Sequence, residues 1–286
     1  MSRKTIFQLV EENYNIYNEV EKINRLFSNE FYFVFDGRYR TFKEMVSQYL
    51  FPSWEYRGTC IDIEEFIFRA NADINERDAT EETIINYLEI IENFINLLNN
   101  SFFSDDEVDI QHYDDFETVF CKIVYELERK MGLVKRHYKN KVVMYPKNAP
   151  LEEVVDLCED EDVQWELIRY ARENMSLSEK RKSLAYFATN LYIEKDSKEQ
   201  NYSNEQRKCL KIMIDNATNI LNNLQIRHNN KTGKWENKVV KEIDEKDATE
   251  LCDMVYNDIL AIVLLRENIK NEKLLLKFRG IQKNKS

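Results

Sequence analysis

The chain is poor in turn-formers, with five glycines and three prolines in 286 residues. That scarcity excludes a turn-rich all-β architecture. Together with 33% charged residues and apolar side chains recurring at the helical period, it predicts a mainly α protein. Cysteine is sparse and unpaired in spacing: Cys60, Cys121, Cys158, Cys209 and Cys252 are odd in number, scattered and without a C-x-x-C pair. This argues against a disulfide framework or a zinc site and leaves buried structural thiols in helical patterns as their reading. Neither a glycine loop for phosphates nor an H-E-x-x-H is present, so neither a metal nor a cofactor is expected. Positive charge is in deficit, and a net charge of −11 argues against coating nucleic acid through an overall field. Apolar runs stay short of the ~18 residues of a membrane span. Met1-Ser-Arg-Lys is followed by an amphipathic segment with no secretory pattern, so a cytoplasmic location is expected.

What is present reads as two domains, a helical one at 1–150 and a helical bundle at 151–286, divided at Pro150 and the acids after it. In the first, Phe7, Val10, Tyr14, Tyr17, Val20 and Phe27 predict one helix from about Lys4 to Ser28. Phe31 to Phe35, closed by Asp36-Gly37, reads as a strand or extended connector. Thr41 and Glu44 have capping-box spacing and open a short helix that ends before Pro52. Trp54 and Tyr56 then fall in an irregular stretch, as core plugs or as stacking platforms. Helices are predicted at Ile61–Ala70, at Glu81–Leu98 with Asp78 as cap and asparagines and acids opposite its apolar stripe, and at Phe116–Met131 with Gly132 closing it.

After Gly132 the period changes to two. Leu133–Tyr138 and Lys141–Tyr145 predict a small β-hairpin, spanning 133–146, around Lys139-Asn140. Seven basic residues and no acid lie between Arg129 and Lys147, so Lys135, Arg136, His137, Lys139 and Lys141 are candidate nucleic-acid ligands. A helix followed by a basic hairpin resembles the wing of a winged-helix module. The alternative is a solvated hairpin, answered by the eight acids from Glu152 to Glu166.

In the second half, Val163–Met175 is a predicted helix, and Ser176 with Glu179 caps another that holds Leu184, Phe187, Ala188 and Leu191. Ser203 with Gln206 opens a long helix over 204–225, with Leu210, Ile214, Ala217, Leu221 and Leu224 on one face. Asp247 with Glu250 opens the last, bearing Leu251, Val255, Ile259, Ile262 and Leu265 and prolonged by a basic tail from Lys270. Two such helices close in sequence pack together, which leaves their loop at one end of the pair. That loop carries Arg227, His228, Asn229 and Asn230. An arginine there can hold a phosphate by a forked contact and a histidine can move a proton; both are also ordinary helix terminators.

The succession "IRYARENMSLSEKRKSLAYFATNLY", "ILNNLQIRHNN" and "ATELCDMVYNDILAIVLL" resembles the C-terminal part of abortive-infection proteins of the AbiJ-like group, whose domain is similar to the HEPN superfamily. The likeness covers roughly Glu159 to Leu265. It implies a HEPN-like bundle, a homodimer, and a metal-independent endoribonuclease of phage defence. Arg227 matches the family's motif arginine, with Asn229 and Asn230 as polar neighbours. The family's histidine follows its arginine by four to six residues, whereas here His228 is adjacent and no later histidine exists. Metal-free RNA cleavage needs a base for the 2′-hydroxyl, an acid for the leaving oxygen and a cation for the phosphorane, which two facing loops of a dimer supply. Two other readings stay open: a non-catalytic helical module that senses phage or binds a protein partner, and nucleic-acid recognition by the hairpin.

Overall fold

The structure is a computed structural model that describes residues 14–35, 37–75, 79–102, 116–172, 175–191, 203–223 and 243–283. It is 75% helical, and among the described residues its sheets are two small antiparallel hairpins, which bears out the mainly α class with a small hairpin. The chain divides into two compact units, Met1–Lys147 and Asn148–Ser286.

In the first unit, α1 (Ile16–Arg25) starts where Asn15 turns extended and its side-chain oxygen accepts the amides of Tyr17 and Asn18, at 2.9 and 3.3 Å. Tyr14 and Asn15, expected inside one helix from Lys4 to Ser28, are not helical, because the Asn15 side chain takes backbone amides as a cap; the stretch before Tyr14 lies outside the described residues. A π-helical turn, Leu26–Glu30, leads to β1 (Tyr32–Phe35), which pairs with β2 (Arg38–Thr41). The second strand was not expected, because the four residues Arg38-Tyr39-Arg40-Thr41 are too short a run for their alternation to be told from a connector. The capping box opens α2 (Phe42–Met45), with Glu44 N–H on Thr41 Oγ1 at 3.1 Å and Thr41 N–H on Glu44 Oε2 at 2.8 Å.

Phenylalanine rings build this core. Phe42 lies 4.9 Å from Phe116 and 5.2 Å from Phe27 between ring centroids, and Phe116 stacks on Phe120 at 5.2 Å. Trp54 is buried, 5.1 Å from Phe66 and 5.8 Å from Phe94, so it plugs the core. Around these rings run α3 (Ile63–Arg69), α4 (Glu81–Phe102) and α5 (Lys122–Met131), the last entered through a π-helical turn at Phe116–Cys121. Thr80 Oγ1 accepts the Thr83 amide at 3.2 Å and serves as cap; Asp78, expected in that role, lies outside the described residues. Gly132 ends α5 at φ +65°, the left-handed position that glycine takes without a Cβ clash. It delivers the chain into β3 (Leu133–Tyr138) and β4 (Lys141–Pro146), joined through Lys139 and Asn140 at φ +45° and +63°.

In the second unit the acids after Pro150 fall on two helices and the turn between them. Pro150 stands in the first turn of α6 (Ala149–Leu157), where its missing N–H costs nothing. Asp160 then caps α7 (Glu161–Arg172) through the amides of Asp162 and Val163. Ser176 and Glu179 form the expected box on α8 (Leu177–Asn190), and Ser203 and Gln206 exchange the same bonds before α9 (Asn204–Asn223). The last helix, α10 (Glu245–Lys283), is capped by Asp244 on the Asp247 amide at 2.8 Å, one turn before the expected Asp247. Both aspartates have an acid three residues on, so spacing alone did not separate them. Leu210, Ile214, Ala217 and Leu221 of α9 and Val255, Ile259 and Ile262 of α10 are buried, and the two helices pack together. Cys60 and Cys252 are buried, but Cys209 is exposed on α9, against the expectation of buried thiols throughout.

Candidate functional site

The basic hairpin is anchored through its backbone. α4 presents Glu89, Asn93 and Asn96, spaced four and three and therefore on one stripe, to the outer edge of β4. Glu89 Oε2 accepts the Met144 amide at 2.7 Å. Asn93 accepts the Val142 amide at 2.9 Å and donates to the Val142 carbonyl at 2.8 Å, and Asn96 donates to the Asn140 carbonyl at 3.3 Å. A helix thus satisfies an edge that would otherwise bury open peptide groups. Asn93→Ala is expected to cost about 2–4 kcal/mol, since it strands two buried backbone groups. Urea unfolding followed by circular dichroism checks it.

Beside this ladder, two acids lie in the core. Glu92 of α4 and Glu128 of α5 are 7% and 4% exposed. The Lys135 ammonium reaches over them from β3, 2.9 Å from Glu92 Oε1 and 3.5 Å from Glu128 Oε2. Two carboxylates face one cation away from water, so one of them keeps its proton. Burial, reinforced by the Glu92 charge, pushes the Glu128 carboxyl up to about 8. Burial also works against the Lys135 charge, but the two glutamates outweigh it and hold the ammonium above its usual range. The neighbouring Cys121 thiol is half-buried, and burial, reinforced by the Glu92 and Glu117 charges, pushes it up to about 12.

The register divides the five hairpin candidates. Lys135 and His137 pair with Met144 and Val142 on one face, Arg136 and Lys141 with Val143 and Tyr138 on the other, and Lys139 sits in the turn. Lys141 Nζ lies 5.3 Å from the Tyr56 ring and 5.4 Å from Tyr138, Lys139 Nζ lies 4.9 Å from Tyr138, and the Tyr56 hydroxyl donates to the Lys139 carbonyl. The tip is therefore a cation–ring cluster, while the Lys135 charge is spent on Glu92 and Glu128.

Arg227, His228, Asn229 and Asn230 lie outside the described residues; they belong to the connection between Asn223 and Glu245. Of the elements around α10, α8 brings Lys180 Nζ to 2.5 Å from Asp253 Oδ1, and Tyr170 of α7 donates to the same oxygen at 3.0 Å. Burial, then the Asp253 charge, raises the Tyr170 phenol well above its ordinary range, so it stays a neutral donor. Tyr170 stacks on Tyr256 at 4.4 Å, and Tyr256 donates to the Leu167 carbonyl at 2.9 Å. Arg169 forks onto Glu166 at 2.9 and 2.8 Å, with the Ser183 hydroxyl on the same carboxylate. Burial opposes the Glu166 charge, and these donors overcome it and lower its pKa.

Sequence reasoning missed Glu92, Asn93 and Glu128. A signal existed for both acids. Glu92 is four residues after Leu88 and three before Ile95, and Glu128 is four after Val124 and three before Met131, so each interrupts an apolar stripe.

No family model, no curated protein and no solved structure matches this chain. Among the described residues no helix is long and apolar enough to cross a membrane, and no His, Cys, Asp and Glu group is arranged to hold a metal ion.

Proposed function

We propose that this chain is a phage-defence protein of the abortive-infection kind, acting in the cytoplasm as a homodimer. Its second unit is read as a HEPN-like bundle that cuts RNA without a metal. The observation that carries the reading is the pairing of α9 and α10: two long helices bury facing stripes, and their connection holds Arg227 and His228. In this scheme His228 of one copy moves the proton, Arg227 of the other stabilises the phosphorane, and Asn229 and Asn230 orient the phosphate by hydrogen bonds. Losing a preorganised cation of this sort slows the chemical step by about a hundredfold or more. Arg227→Ala is therefore expected to abolish both growth arrest on expression and protection against phage. An Arg227→Ala variant as toxic and as protective as the parent, at equal protein level, contradicts the reading.

A second reading, a non-catalytic sensing or partner-binding module, is favoured by the way Lys180 and Arg169 are answered by Asp253 and Glu166. Cations held in this manner are scaffold, and the surviving activity of Arg227→Ala is the result that selects it.

A further inference from the structure

The β1–β2 ribbon has no role in that scheme, yet it holds an unusual set of side chains. Its register pairs Val34 with Tyr39 and Tyr32 with Thr41, which sets Tyr32 and Tyr39 on one face as diagonal neighbours. Both rings face solvent, Tyr39 at 74% and Tyr32 at 46% exposure, with half-buried Val34 between them. β2 also carries Arg38 and Arg40. Among the described residues neither has a carboxylate partner: Arg38 is exposed, and Arg40 donates to Gln48 at 2.9 Å and lies 5.4 Å over the Tyr49 ring. From Asp36 to Lys43 there are three cations to one anion in a chain whose net charge is −11. The neighbouring acids are engaged: Glu30 pairs with Arg25 at 2.7 Å, Glu44 with the Thr41 amide, and Glu64 with Lys43 at 2.8 Å.

We propose that the Tyr32–Tyr39 face of this ribbon is a stacking platform for single-stranded RNA, with Arg38, which the register pairs with Phe35 on the opposite face at the exposed end of β2, reaching round the strand edge to the phosphates. Exposed rings on a strand face give bases of any identity a partner, and Arg38, exposed and without a carboxylate partner among the described residues, supplies an attraction to phosphate that a strand-forming peptide does not need. The choice of RNA over DNA rests on the proposed RNA-cutting activity; the platform itself rests on the geometry of the first unit.

The test is fluorescence anisotropy of the full chain with a labelled 12-nucleotide single-stranded RNA, and with DNA of the same sequence, at two salt concentrations. Binding that weakens with salt is expected. It should fall tenfold or more in Tyr32→Ala/Tyr39→Ala, be retained in Tyr32→Phe/Tyr39→Phe, and fall and lose salt dependence in Arg38→Glu. Absence of binding by the parent, or unchanged binding by the alanine pair at an unchanged melting temperature, overturns the proposal. Equal affinity for the DNA overturns the assignment to RNA. Because binding is read without cleavage, Arg227→Ala binding like the parent keeps this outcome separate from the fate of the nuclease reading.

Discussion

Lys135→Ala is expected to destabilise the N-terminal unit by about 2–4 kcal/mol at pH 8, a midpoint shift of roughly 1–2 M in urea. The lysine side chain is 39% exposed, so solvent screens its contacts, and the figure sits below that for a fully buried pair. What the variant leaves behind is the cause: the Glu92 and Glu128 carboxylates, nearly without solvent, lose the Lys135 ammonium that lies within 4 Å of both. The loss should shrink toward pH 5, where Glu128 holds its proton and the missing ammonium strands one carboxylate charge fewer. Replacing all three together, by Lys135→Met with Glu92→Leu and Glu128→Leu, is expected to stay within about 1 kcal/mol of the parent, since it buries no unanswered charge. A Lys135→Ala midpoint equal to the parent's at pH 8 contradicts this account of the cluster.

Glu128→Gln is expected to remove most of the pH dependence of stability between about 4.5 and 8. The sign follows from the raised carboxyl. In the folded chain Glu128 keeps its proton to about pH 8, whereas in the unfolded chain it ionises near the ordinary carboxylate value. Between these limits the native state binds more protons, so parent stability falls as pH rises and levels off above 8. The amide is neutral throughout. Parent and variant should be alike near pH 5, and the variant more stable at pH 9, on the order of 2–4 kcal/mol. Thermal unfolding across pH 4–9 reads this. A variant that loses stability with pH as steeply as the parent places the titration elsewhere.

Where local chemistry set an element, the sequence was legible. The boxes at Thr41, Ser176 and Ser203, the glycine after α5, and the turn at Lys139-Asn140 all depend on residues within a few positions of each other. Where a residue's role came from a distant element, it was not. Asn93 looked like a solvated helix position, and only the arrival of Val142, 49 residues on, gives its amide a purpose. β2 escaped because its partner, not its own pattern, makes it a strand. Lys135 was legible as a hairpin cation, but not as the counter-charge of Glu92 on α4, because charge pairing across 43 residues leaves no spacing to read. For the Arg227 and His228 loop, spacing and resemblance remain the grounds of the reading, and biochemistry is its test.

That test is direct. Purified parent protein incubated with total RNA in excess EDTA should produce discrete fragments, and Arg227→Ala and His228→Ala should leave the same RNA intact. RNA that stays intact with the parent, in a sample shown to be folded and dimeric, contradicts the proposed function.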